Sequence, residues 1–450
     1  MQAHFDMDAR RMSKFIDELT RAVANCDGGD GESRALIGRA IADTLAAAAA
    51  GFPEPVTRMA LAAHGGGRVP TWSGETCDSA EAAVMIDAIA AHALDFDDVF
   101  LESAAHASAV ILPVVLRLDG GHDPDDIVAA FGAGLIAARA VARRVGLGHY
   151  HKGWHGTGTI GAFAAAAAAG RLAGLDERRM RAAFALVASM SGGLKINFGT
   201  EAKPCQAGFA AAAGHRAARL AAAGIEGASD VFGPGGYAEL YGAGDGKADL
   251  DESDFAPRPD RLSVKLYPCC YAAHRLIGVA LSARDALGPV LADPDTAVRV
   301  TVPAASLEAL RYDRPATGLQ AKFSGPYALA TALMKGPPTL ANFADEVVAE
   351  GDLAAAMDRI EIVEDPSQPS GGDIEAGAVI LDVFDSSGRL CGGFARRHIP
   401  GSPDDPPSRQ ALAAKIDGCL AVFARAYGGP PPAVKRAGAI PQARAWLDGD

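Results

Sequence analysis

What most limits the folds open to this chain is its alanine. From Met12 to about Ala223, alanine recurs with Leu, Ile and Val at helical spacing, interrupted at helix-length intervals by Gly and Pro clusters. The breaks fall at Cys26–Glu32, Gly51–Pro55, Gly65–Gly74, Leu118–Asp125, Gly146–Thr157 and Leu194–Pro204. This pattern predicts a large all-helical domain. Runs such as Ala162–Gly170 and Ala207–Gly214 allow helices to approach closely, and alanine also serves as helix-favouring filler. Both readings keep the class.

After the turn-rich Gly233–Asp260 segment the texture changes. β-branched runs at Ala297–Val302, Arg359–Val363 and Ala378–Val383 predict strands, and Asp385–Gly388 followed by Leu390–Arg397 predicts a hairpin. Helical patterns at Tyr271–Leu287, Pro326–Met334 and Leu340–Ala349 lie between them. Strands and helices mixed after a helical block predict a smaller α+β domain over 261–398 beside a helical domain over 12–260. Ser408–Ala426 reads as helix again and returns to the first domain, which 399–450 then completes. The 450 residues suit two or three domains.

Composition narrows the function classes. With 49% hydrophobic and 22% charged residues the chain is an ordinary globular one, neither disordered nor fibrous. A net charge of -13 disfavours a nucleic-acid partner, whose phosphates call for a basic face. It leaves room for an anionic ligand, because a local Lys and His cluster can outweigh a distant acidic surface. Cys26, Cys77, Cys205, Cys269, Cys270, Cys391 and Cys419 lack C-x-x-C spacing and read as reduced, cytoplasmic thiols. Met1–Arg11 has neither the apolar core nor the cleavage site of a signal peptide. Ala107–Leu116 and Ile160–Ala169 are too short to span a bilayer. The expectation is a water-soluble cytoplasmic protein without a membrane or nucleic-acid partner.

Five segments carry candidate chemistry. The first is His92-Ala-Leu-Asp95-Phe-Asp97-Asp98, followed by His106 and Ser108. Three carboxylates within four residues repel unless solvated, hydrogen-bonded or near a cation, so the segment is either a polar helix end or a working group. A magnesium and diphosphate site of the kind found in all-helical synthases would need a second acidic cluster, which the helical block lacks. The second segment is Gly153-Trp-His155-Gly-Thr157-Gly158, where Thr157 is expected to cap the next helix and set His155 just ahead of it.

The third and fourth, Phe198–Pro204 and Lys265–His274, each set a lysine shortly before a proline suited to begin a helix. A lysine there faces the positive end of the helix dipole, an arrangement that suggests a bound carboxylate for Lys203 and Lys265, or else two solvated side chains. The fifth is Lys322-Phe-Ser-Gly-Pro-Tyr327, where Tyr327 is either a proton-transfer group or a half-buried aromatic. Cys269 and Cys270 are expected in helix packing at the domain boundary. The G-x-G patterns near Gly146 and Gly233 follow no predicted strand, and no G-x-S-x-G elbow occurs.

In their shared order these stretches resemble the MmgE/PrpD family, which includes 2-methylcitrate dehydratases, cis-aconitate decarboxylases and iminodisuccinate epimerases. The similarity runs from about Ala42 to at least Tyr327 through Asp43-Thr-Leu, His92–Asp98, Gly153–Gly158, Phe198-Gly-Thr with Lys203-Pro204, Val264–Cys270 with His274, and Lys322-Phe-Ser with Tyr327. The resemblance implies a helical domain with a smaller α+β lid, a cleft between them, a homodimer, and no metal or organic cofactor. By position it implies Asp95, His106, His155, Lys203 and Tyr327 as catalytic, with Lys203, Lys265, His274 and Cys270 binding substrate. Two departures stand out: the spacer from Asp95 to His106 is one residue longer than in the decarboxylases, and Ala107 stands where a proline often follows the histidine.

The implied activity is a metal-independent lyase, dehydratase-like, that removes a proton beside a carboxylate of a small polycarboxylate such as 2-methylcitrate. An iminodisuccinate-like epimerase and a cis-aconitate-type decarboxylase are its alternatives within the family. A non-catalytic small-molecule-binding protein is the alternative from another class.

Overall fold

The computed structural model describes residues 14–117, 120–368 and 375–448. The expectations for Met1–Arg11, for the domain start at Met12, and for Leu118 in a predicted break lie outside the described residues.

The chain divides into two compact units. The first comprises residues up to Ile196, Lys203–Ser263 and the stretch from Ser408 onward; the second comprises Asn197–Ala202 and Val264–Pro407. The divisions lie somewhat beyond the expected 260/261 and 398/399. Leu262–Ser263 pairs antiparallel with Val99–Phe100, which ties it to the first unit. In the second unit, Val264 donates its N–H to the Gly401 carbonyl, so that unit continues past residue 398.

The first unit is helical because its apolar positions repeat with the helix and its starts are capped. Asp30 accepts from the Ser33 N–H at the head of helix Gly31–Gly51, and Ser79 accepts from Ala82 at the head of helix Ala80–His92. Small residues here are an instrument of close packing more than filler. A Cβ placed on Gly51 would lie 2.0 Å from the Ala90 carbonyl oxygen, and one on Gly208 would lie 2.8 Å from that of Met85. The helices bearing His92 and Lys203 are thereby drawn tightly into the bundle. The expected all-helical domain also contains two short ladders, Gly65–Pro70 with Thr76–Cys77 and Val99–Phe100 with Leu262–Ser263.

Among the described residues no single helix is long and apolar enough to cross a membrane. Only Gly31–Gly51 with Pro55–Ala63, bent by 83°, passes such a test as a pair, and Ile41–Gly51 of that pair is buried.

In the second unit Ala297–Pro303 pairs parallel with Ile360–Asp365 and antiparallel with Val379–Phe384, which pairs antiparallel with Leu390–Arg396. Val298, Val300 and Val302 alternate with more exposed neighbours, as do Val379, Leu381 and Val383, giving one buried face. Helices His274–Leu291 and Gly325–Lys335 join the same apolar core. Leu340–Ala349, predicted as one helix, is a 3-10 turn Leu340–Phe343 followed by the short helix Asp345–Val348.

Candidate active site

The first unit brings Lys203, His92, Asp97, His106 and Asp95 into a closed ring. Lys203 Nζ lies 2.8 Å from His92 Nε2 and 3.0 Å from Asp95 Oδ1. His92 Nδ1 lies 2.9 Å from Asp97 Oδ2, and that oxygen lies 3.1 Å from His106 Nδ1. His106 Nε2 closes the ring 3.7 Å from Asp95 Oδ1. The His155 ring stacks beside His92 with centroids 5.8 Å apart.

Local structure explains how a short segment supplies so much of this. Helix Ala80–His92 ends on His92, and the chain turns back through Asp95 at φ 53°, a left-handed conformation uncommon outside glycine. The turn aims Asp97 at His92 five residues behind it. Asp95, Asp97 and Asp98 are all buried, so the polar helix end weighed from the sequence is not what they form. Each carboxylate has its own partner: Lys203 for Asp95, His92 and His106 for Asp97, and the Ser108 hydroxyl at 2.5 Å for Asp98. The longer spacer between Asp95 and His106 still delivers the histidine to Asp95. The chain turns again at Ala104, φ 46°, just before His106.

His155 is the N-cap of helix Gly156–Leu172, which starts two residues earlier than expected, and Thr157 lies inside the first turn. Thr157 therefore does not cap the helix; its hydroxyl accepts the backbone N–H of His106 at 3.0 Å and ties the two histidine segments together. Gly156 and Gly158 make this approach possible. Cβ atoms there would lie 2.6 Å from the Ala104 carbonyl oxygen and 2.3 Å from that of Gly192.

Protonation follows from the contacts. Burial, with the Lys203 charge nearby, lowers the His92 pKa against the pull of Asp97 and Asp95, which makes it a neutral imidazole. Asp97 only accepts, so Nδ1 of His92 carries the proton and Nε2 accepts from the Lys203 ammonium. Burial alone would raise Asp97, but His106 and His92 outweigh it and hold this carboxyl well below the usual range. Burial, then the charge of Lys203, lowers His155 well below an ordinary histidine. Gln206 Nε2 donates to the Leu194 carbonyl at 3.1 Å, which turns Oε1 toward His155 Nδ1 at 2.7 Å. Nδ1 is then the protonated nitrogen of His155, and Nε2 carries the lone pair.

His92, Asp95, Asp97 and His106 also offer donor atoms all within 4.8 Å of one another, a set suited by type to a divalent cation. Two of those donors, His92 Nε2 and Asp95 Oδ1, face the Lys203 ammonium at hydrogen-bond distance. An ion held by all four would compete with the Lys203 ammonium for two of its donors.

Lys265, Cys270, His274 and Tyr327 belong to the second unit. Lys265 is fully buried. The helix expected to begin at Pro268 does not: a 3-10 turn starts at Tyr271 and the α-helix at His274. Lys265 is thus not at a helix N-terminus. Pro204 likewise does not start its helix, because Ala202–Ala222 already includes Lys203 as its second residue. His274 Nε2 lies 3.1 Å from the Tyr267 carbonyl oxygen, and the Cys270 N–H donates to the Lys322 carbonyl. The Tyr327 hydroxyl donates to the Asn342 carbonyl while its ring is buried near Phe343 in the sheet core. Burial pushes its pKa up to about 12. That is the setting of a core tyrosine.

A helical unit and a small mixed-sheet unit, with a buried lysine–histidine–carboxylate ring in the former, define the class of protein at hand. The profile of the MmgE/PrpD N-terminal domain matches residues 17–247 and that of the C-terminal domain residues 267–426, and the chain belongs to the MmgE/PrpD family. It is 24% identical over 304 residues to the cis-aconitate decarboxylase of Mus musculus, covering 65% of this chain and 62% of that protein. The Homo sapiens enzyme of the same name is 25% identical over 296 residues, covering 63% and 61%. That of Aspergillus terreus is 27% identical over 211 residues, 43% of each chain. The matched region thus spans 62% and 61% of the length of the mouse and human relatives, less than two thirds of each.

Sequence reasoning named His92 and Asp97 within the first candidate segment without giving either a role, and it passed over Gln206. The signal that would have paired the first two is their spacing of five across a helix end, where the chain can fold back on itself.

Proposed function

We propose that this chain is a lyase acting on a small polycarboxylate by proton transfer at a carbon beside a carboxylate. The closed ring of Lys203, His92, Asp97, His106 and Asp95 carries this reading. Proton loss or decarboxylation next to a carboxylate builds charge on an already anionic substrate, and a preorganised cation is the strongest available remedy. Lys203 supplies it, held by two neighbours in a buried site. A proton on either nitrogen of His106 faces a carboxylate, so His106 is the group suited to hold a proton and deliver it. His155, neutral with its lone pair on Nε2, is suited to take one.

In dehydration of a citrate-like β-hydroxy acid, His155 takes the proton beside the carboxylate, the C–O bond breaks, and His106 protonates the departing hydroxyl as water. The names of the relatives favour a second reading, decarboxylation of a cis-aconitate-like acid. There the C–C bond to the lost carboxyl breaks, its electron pair passes to the remaining unsaturated acid, and His106 protonates carbon. That route needs no base, so His155→Ala separates the two: a dehydratase loses turnover about 100-fold or more, a decarboxylase far less. An epimerase would use both histidines and release neither water nor carbon dioxide. The same proposal includes independence of metal and organic cofactors, a cytoplasmic location and a homodimer, the last checked by light scattering.

The test is proton NMR in deuterated water, with EDTA, over 2-methylcitrate, citrate, cis-aconitate, iminodisuccinate and related acids. Deuterium entering a carbon beside a carboxylate supports the reading, and the product reports which reaction occurs. Tight binding without exchange or conversion would instead support a binding protein, and activity lost to EDTA would overturn the metal-independent mechanism.

A further inference from the structure

Behind the ring, in the same unit, lies a second pair of buried charges. Lys415 of helix Arg409–Tyr427 meets Asp43 of helix Gly31–Gly51 at 2.6 Å, their side chains 3% and 1% exposed. The same ammonium donates to the Phe96 carbonyl at 2.8 Å and sits 4.3 Å from the centre of the Phe96 ring. Phe96 is the residue between Asp95 and Asp97. Lys415 therefore grips the backbone of the turn that aims one carboxylate at Lys203 and the other at His92 and His106.

A buried ion pair is a poor device for stability alone, since apolar replacements of the same volume often serve as well. Here the lysine also holds the peptide next to Asp95, whose left-handed backbone needs outside contacts to persist. Arg39, one turn before Asp43, is half-buried, and its charge interacts with Asp43 and Asp98. The stretch matched by the family's C-terminal domain thus ends in a helix that belongs to the first unit and reaches the back of the candidate site.

We propose that Asp43 and Lys415 are a positioning pair: through the Phe96 carbonyl they fix the turn that carries Asp95 and Asp97. The inference rests on reading the ring as the acid–base site. Its test is the full-length double variant Asp43→Leu/Lys415→Met, which removes both charges together and leaves neither stranded. With folding confirmed by circular dichroism, side-chain nitrogen NMR of histidine-labelled protein reads His92 and His106. His149, bonded to Thr159 and the Tyr241 carbonyl, is the internal control.

The expected result is a shift of the His92 and His106 signals with His149 unchanged, a fall in turnover of about 30-fold or more, and near-normal behaviour of Lys415→Arg. Wild-type His92 and His106 signals in the folded double variant would overturn the proposal and leave a packing feature. If the double variant melts below assay temperature, the isosteric Asp43→Asn is read in its place. The same two signals then shift by less, and no shift overturns the proposal. Absence of turnover in the wild type would count against the lyase reading alone, because the histidine signals report the positioning without any reaction.

Discussion

Lys203 and Lys265 each stand shortly before a proline, and they end in different settings. Lys203 is the second residue of helix Ala202–Ala222 and donates to His92 and Asp95. Lys265 is fully buried in the second unit, and no helix begins until Tyr271. An ammonium in the first turn of a helix opposes the helix dipole by about 0.3–1 kcal/mol. Asp95 offsets that for Lys203; for Lys265 the dipole argument does not apply. A motif places a charge in the chain, but its neighbours decide what the charge can do.

The comparison is sharpest under mutation. Lys203→Met is expected to reduce turnover by about 1,000-fold or more, because it removes the cation from a ring that depends on it. Lys265→Met, if that lysine holds a substrate carboxylate, should act chiefly on KM, by about 10- to 100-fold. Steady-state kinetics of the two variants would break the contrast if both showed the same split between kcat and KM. Asp97→Asn comes next. It keeps the shape but removes the charge between His92 and His106, so kcat should fall by about 100-fold, with a lowered melting temperature as the second readout.

Asp98 gives the pH dependence. Burial, reinforced by Asp43 and Asp97 and opposed by the Ser108 hydrogen bond, raises its pKa to about 7. An unfolded aspartate titrates near about 3.9, so between those values the folded chain binds more protons. This group therefore favours the fold fully below about pH 4, and that contribution is lost as pH rises through about 7. Asp98→Asn cannot ionise. Denaturant unfolding should show the variant gaining on the wild type by on the order of 1–3 kcal/mol between about pH 5 and about pH 8. A gap that does not change with pH would contradict the assigned shift. The smallest effect is expected of Tyr327→Phe, whose hydroxyl is committed to the Asn342 carbonyl. Stability should fall by about 1 kcal/mol with activity within about threefold of wild type, and a large loss of kcat would restore Tyr327 to the chemistry.

Much of this molecule was legible in its sequence. Alanine periodicity marked the helices, and β-branched runs marked the sheet strands to within a residue or two, because both signals come from which face is buried. The Gly65–Pro70 strand was read as a break, since three glycines carry no such signal. In the site, His106, His155, Lys203 and Asp95 were legible as residue types in a recognisable order. His92 and Asp97 stood in the same candidate segment, but their pairing was not legible, because what joins them is a left-handed residue past a helix end, a backbone property that Asp95 does not advertise. Lys415 lay further out of reach: its partners are a carboxylate and a backbone carbonyl hundreds of residues earlier.

The central claim is that the ring around Lys203 moves a proton at carbon. It is tested most directly by solvent-deuterium incorporation, with EDTA present, in wild type beside folded Lys203→Met and His106→Ala variants. The account predicts incorporation by the wild type that falls to the uncatalysed level in both variants; incorporation at the wild-type rate by either would contradict it.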